Sequence, residues 1–305
     1  MKTMKELKSI KIVPYTIMNA ALNAVWGFIF AIILLIFGGA FASLLSGTEL
    51  APLSGVILGI SVAGLIVFPV GSFLLSIMPS FLQALLYNLL VPKLGGIQIE
   101  LEEMTEVTRA EVVPFALILA GVTAVFQLIM QLVIAPLQAV LIELIGGIGT
   151  LALAATNATT GQLPAMGGAG ALGAIVNIIL SPLITFIFVF IGAAIAALLY
   201  NFLAPKLGGM KVELAQMTDN FFGVESINPV AIGLITGAIA AVLGLILGII
   251  FLILFAALGS IEAGILILLT YVIGGFILVF IAYALTALIY NVLSPKIGSF
   301  KIQLE

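Results

Sequence analysis

ALLYNLLVPKLGG, residues 84–96, closes a long apolar run with a tyrosine, an asparagine, a proline, a lysine and two glycines. Nearly the same string returns as ALLYNFLAPKLGG at 197–209 and as ALIYNVLSPKIGS at 287–299. Self-similarity of this kind is read before anything else, because it sets the architecture of the whole chain. The front ends also correspond: KIVPYTIM at Pro14, EVVPFALI at Pro114 and SINPVAIG at Pro229. The chain therefore divides into three units, 1–104, 105–217 and 218–305.

Each residue type in the string has a reason to end a membrane helix. Tyr87, Tyr200 and Tyr290 suit an interface, where the ring stays apolar and the hydroxyl reaches water or headgroups. Asn88, Asn201 and Asn291 can cap frayed backbone. Pro92, Pro205 and Pro295 bring no N–H and clash with the preceding turn, so the helix is expected to stop there. Lys93, Lys206 and Lys296 meet the negative end of the helix dipole and can contact lipid phosphate. Glycine then permits a sharp turn. Beyond the glycines the residues alternate: Ile97, Ile99 and Leu101 against Gln98, Glu100 and Glu102, with MKVELAQ and FKIQLE repeating the pattern, which is the period of a half-buried strand. SIKIV, VTRAEVV and GVESI, ahead of the leading prolines, have β-branched character too, so each unit reads as strand, helix, helix, strand. Three units could then join their strands into a small sheet or barrel beneath the helices.

Of the 305 residues, 63% are apolar and 8% charged, with a mean hydropathy of +1.39. Soluble domains carry about 25% charged residues. A span needs about 20 apolar residues, and six segments meet this, at 15–45, 55–91, 113–145, 170–204, 229–258 and 263–294. The expected fold is an all-α integral membrane protein whose six transmembrane helices form three repeated hairpins, with short cytoplasmic β-strands and pseudo-threefold symmetry. The apolar segment after MKTMKELKSIK is about twice as long as a secretory h-region of roughly 7–15 residues, and reads as an uncleaved anchor. Pro69 and Pro182 lie at the same offset before their tyrosines and are expected to kink their helices. Val272 holds that place in the third unit, where no kink is expected.

The ten basic residues are Lys2, Lys5, Lys8, Lys11, Lys93, Arg109, Lys206, Lys211, Lys296 and Lys301. With six spans all fall on one face, and the positive-inside rule makes that face cytoplasmic, with both termini on it. The expected location is the plasma membrane. The sequon Asn157-Ala158-Thr159 falls on the opposite side.

The motif order, with Tyr-Asn, paired glycines and an acidic alternating strand behind an apolar hairpin, resembles the actinobacterial two-helix transmembrane domain of unknown function, family 3566. The resemblance would cover each unit, in three tandem copies where that family typically has one. It implies no activity. It does imply that a single-unit relative would trimerise and that this chain is the fused form.

No cysteine or histidine occurs, which removes thiolate catalysis, disulfides, iron–sulfur clusters, haem ligation and ordinary zinc sites. No cofactor is expected, and a net charge of −3 gives no reason for a nucleic-acid partner. Asn19 and Asn23 in the first helix, with Gln127 and Gln131 in the third, are candidates for a polar path; such amides more often join helices. Glu49, Glu143 and Glu262 are either an acidic ring or solvated tips. The acidic run from Glu100 to Glu111 is either a docking surface or a solvated linker. The hydrocarbon zone is read as free of Asp, Glu, Lys and Arg, which argues against a pump or antiporter. No nucleophile–base pair or phosphate-cradling loop is visible, so the reading is non-enzymatic: a scaffold or accessory subunit that docks a protein partner through its cytoplasmic strands. The alternative is a passive channel or small-solute permease along the axis.

Overall fold

The structure, a computed structural model, describes residues 2–155, 166–217 and 220–305. In chain order the elements are β1 (Lys2–Ile10), α1 (Ile12–Leu45), α2 (Ala51–Leu94), β2 (Ile97–Glu102), β3 (Glu106–Ala110), α3 (Val112–Ala155) and α4 (Met166–Leu207). They continue with β4 (Met210–Gln216), β5 (Phe221–Ile227), α5 (Pro229–Ala257), α6 (Ile261–Leu269), a π-helical turn (Thr270–Gly274), α7 (Gly275–Ile297) and β6 (Phe300–Leu304). The sequon at Asn157 lies outside the described residues.

Six helical segments are long and apolar enough to span a bilayer, the sixth running through α6, the π turn and α7. At most 33% of the most apolar window of any of them is buried within the protein, so lipid is the solvent for the rest. The chain is a multi-pass membrane protein. α1 packs along α2, α3 along α4, and α5 along the sixth span.

The six strands form one closed antiparallel barrel in the order β1-β2-β3-β4-β5-β6, with β6 pairing back onto β1. An all-α description therefore leaves out a complete β layer. Leu101, Val107 and Leu304 are buried inside it, with Leu7, Ile302 and Leu214 packed around them. A closed barrel of this size is filled by side chains, and closure leaves no edge to pair with another chain. Glu100 to Glu111 is not a linker, although Glu102 and Glu103 within it are exposed. It builds the β2–β3 hairpin, where Glu100 is bridged by Lys2 at 2.9 Å and Arg109 by Glu111 at 3.4 Å.

Several boundaries differ from expectation. The basic leader is itself strand β1, from Lys2 onward. The helices do not stop at Pro92, Pro205 and Pro295 but continue to Leu94, Leu207 and Ile297. Each proline withholds one N–H from the carbonyl four residues earlier, a single lost bond that the helix tolerates for two more residues. The stop comes at Gly95, Gly208 and Gly298, whose φ values of +83°, +88° and +94° only glycine adopts freely. α3 and α4 also extend past the expected 113–145 and 170–204. Pro229 opens α5 directly behind Asn228, whose side chain caps Ala231 N–H at 2.9 Å, whereas α1 and α3 begin two residues before Pro14 and Pro114.

The third unit does carry a helical defect where Val272 stands: the π turn at Thr270–Gly274. It replaces proline as the interruption at the place of Pro69 and Pro182, and π turns are a recognised cause of helix distortion. α5 receives it with glycines. A Cβ on Gly244 would fall on the Tyr271 carbonyl oxygen, and one on Gly248 would lie 2.9 Å from Leu268 Cα. Gly244→Ala should therefore lose about 1–3 kcal/mol of unfolding free energy in detergent. Gly39→Ala, with nothing within 4 Å, should lose none.

Candidate functional site: the junction of barrel and helices

The tyrosine–asparagine pair does not face headgroups. It ties the end of each long helix to the barrel backbone. The Tyr87 hydroxyl donates to the Leu7 carbonyl at 2.6 Å and accepts from Ile97 N–H at 3.3 Å. Tyr200 donates to Val107 O and accepts from Met210 N–H at 2.9 Å. Tyr290 donates to Val224 O and accepts from Phe300 N–H at 3.1 Å. The rings are apolar filling as well: Tyr87 packs with Leu86, Val91 and Ile118, and Tyr290 with Met18 and Leu22.

The next residue completes the tie. Asn88 accepts from Ile10 N–H and donates to Ile10 O, both at 2.8 Å. Asn201 makes the same two bonds to Ala110 at 2.9 and 2.8 Å, and Asn291 to Ile227 at 2.9 and 2.8 Å. A carboxamide offers one acceptor and one donor side by side, so it can replace a neighbouring strand for a single residue. The ladder is broken just before each gripped residue: register shifts lie between Leu7 and Ser9, between Val107 and Arg109, and between Val224 and Ser226. A bulge leaves its extra residue unpaired and bends the strand, which frees the carbonyls that the tyrosines take up.

The paired glycines have a second role. A Cβ on Gly96 would land on the Leu7 carbonyl oxygen, and one on Gly209 on that of Val107. Their N–H groups donate to Glu6 Oε1 and Glu106 Oε1, each at 2.7 Å. At the third corner Ser299 replaces the glycine, Gly223 stands one residue before the carbonyl that Tyr290 holds, and the Ser299 hydroxyl donates to Glu225 at 3.1 Å. The Gly96 N–H, helped by the Lys8 ammonium, holds the Glu6 carboxyl below its ordinary range. Lys93, Lys206 and Lys296 are exposed beside this junction, with Lys206 Nζ 3.5 Å from the centre of the Phe202 ring.

The four residues of the expected polar path are not brought together. Asn23 donates to Asn19 O within α1, while Gln127 and Gln131 turn to Ser181 of α4 at 3.0 and 3.5 Å. Two cavities at the junction have no counterpart among the sequence expectations, and neither is lined by these residues. One, of about 210 Å³, lies between α2 and α3, bordered by Gln83, Ala84, Tyr87 and Phe126. The other, of about 650 Å³, lies between α4 and α5 and reaches α7, bordered by Ala196, Ala197, Tyr200, Leu243, Thr236 and Tyr283. No charged side chain lines either one. Between α7 and α1, Trp26 Nε1 donates to Thr286 Oγ1 at 3.1 Å across the seam.

Comparison with known protein families, with curated proteins and with solved structures finds no match.

Removing the asparagine grip should be costly, because two backbone groups of a bulged strand lose their partners. Asn88→Leu is expected to destabilise the protein by about 2–4 kcal/mol in equilibrium unfolding. Acid dependence follows from Glu6. Its folded pKa is depressed, so its contribution is complete above the free glutamate value of about 4.3 and vanishes as pH falls through the lower folded value. Glu6→Gln should lose less stability than the natural chain between about pH 5 and pH 3, read as unfolding midpoints across that range.

Proposed function

We propose that this chain is a non-enzymatic membrane scaffold or accessory subunit, with the barrel as its docking platform on the cytoplasmic side of the plasma membrane. The observation that carries the reading is a closed, apolar-filled barrel fastened to the spans at three corners by the same tyrosine and asparagine bonds. Such a body moves with the helices rather than on a tether. Because the barrel has no free edge, a partner would bind its outer side chains, where Glu102, Glu103, Lys211 and Glu213 are exposed. The three corners also support a pseudo-threefold arrangement of three helical pairs. The orientation rests on the basic residues, which all sit on the strands or the helix ends beside them and would meet the anionic leaflet there.

The alternative, a passive channel or small-solute permease, finds less support, since Leu101, Val107 and Leu304 occupy the barrel interior. Purification through a C-terminal tag should recover a stoichiometric protein partner, and charge reversal at Glu103 and Glu213 should release it without moving the unfolding midpoint. Recovery of the chain alone, together with solute flux in proteoliposomes, would instead favour the permease. Cysteine replacements of Lys93 and Lys206 should label from the same side of the membrane; labelling from opposite sides would overturn the orientation.

A further inference from the structure

We infer that the cavity between α4 and α5 is a binding site for a neutral lipophilic molecule, a hydrocarbon chain carrying one hydrogen-bonding oxygen. The inference is independent of the scaffold reading. It rests on a comparison of three seams. Counting from the strand residue that each asparagine grips (Ile10, Ala110 and Ile227), the residue sixteen further on is Trp26, Phe126 and Leu243. Four residues before each tyrosine of the string, across those seams, stand Thr286, Gln83 and Ala196. The seam with tryptophan is bridged by the Trp26–Thr286 hydrogen bond at 3.1 Å. The seam with phenylalanine and glutamine keeps about 210 Å³, and the seam with leucine and alanine opens to about 650 Å³. Between these two seams the space grows as side-chain volume is lost at two corresponding positions, the same positions that are bridged in the first.

The size falls within the roughly 300–1,000 Å³ of small-molecule sites. An apolar cavity of this kind stays dry and takes apolar guests, and the absence of charged lining disfavours an ionic headgroup inside it. Three hydroxyls break the apolar wall, and that of Tyr200 is committed to Val107 O and Met210 N–H. Thr236 Oγ1 is committed to Ile232 O at 2.6 Å, whereas Tyr283 donates no hydrogen bond among the described residues and is left to meet an acceptor on the guest.

The test uses the full chain in lipid nanodiscs with a long-chain alcohol bearing a photoactivatable diazirine, its crosslinks mapped by peptide mass spectrometry. Saturable labelling should concentrate on 232–243 of α5 and 279–283 of α7. Grafting the bridged seam with Leu243→Trp and Ala196→Thr should abolish it. Tyr283→Phe should weaken capture of the alcohol but not of the matching diazirine alkane. The reverse variant, Phe126→Leu with Gln83→Ala, should create new labelling between α2 and α3, which keeps the proposal testable if the graft fails to fold. Labelling spread evenly over the lipid-facing helices, or unchanged in a folded graft, would overturn the site and leave only bulk lipid contact.

Discussion

A strand that runs into a membrane helix leaves backbone N–H and C=O groups at the place where neither ladder nor helix pairs them, and water thins out there. Such groups cost about 1–3 kcal/mol each when orphaned, so this corner of the chain must supply its own partners. Tyrosine and asparagine do so in sequence: the phenol spans from one strand to the next, and the carboxamide closes on both polar groups of one residue. The barrel cannot be bulged at these points without them. The helices cannot be set at a fixed height above it without the same bonds.

Around this fixed requirement the three corners solve smaller problems differently. Two use a glutamate to receive a glycine N–H, and the third replaces the pair with Gly223 and Ser299, so that one side chain is removed where another is added. Two of the long second spans contain an inner proline, at Pro69 and Pro182, while the sixth span has a π turn lying against Gly244. The bond pattern is held, and the means of bending and filling vary. The seams between the pairs differ as well: the Trp26–Thr286 bond bridges one, and a cavity of about 650 Å³ lies at another.

The part of the fold legible in the sequence is the part that chemistry forces to recur. Tyr-Asn and the first glycine stand out because the same bonds and the same positive φ recur at all three corners, and six apolar runs announce their spans by length alone. β1 is legible only at its end, in SIKIV, because its alternation slips by one at the bulge near Lys8 and lysines interrupt the apolar pattern ahead of it. The helix ends are hard to place because proline looks like the stop that Gly95, Gly208 and Gly298 provide. The leading prolines look equivalent, yet Pro229 occupies a different helical position from Pro14 and Pro114. The cavities are invisible for a different reason: they are bordered by residues that differ between the units, such as Phe126 and Leu243, and a search for likeness passes over them.

The pairing of β6 with β1 also sets a timetable. Ser9 and Gln303, joined by a side-chain hydrogen bond, are separated by 294 positions. At about 5–20 residues per second of synthesis, the first strand waits roughly 15–60 s for its last neighbour. During that interval all the spans emerge while one flank of β1 stays open to pairing with a nascent copy from an adjacent ribosome. Lys8 stands at the bulge on that flank, bridged to Glu6 at 2.9 Å, and a charged, bulged edge discourages such mispairing until ring closure.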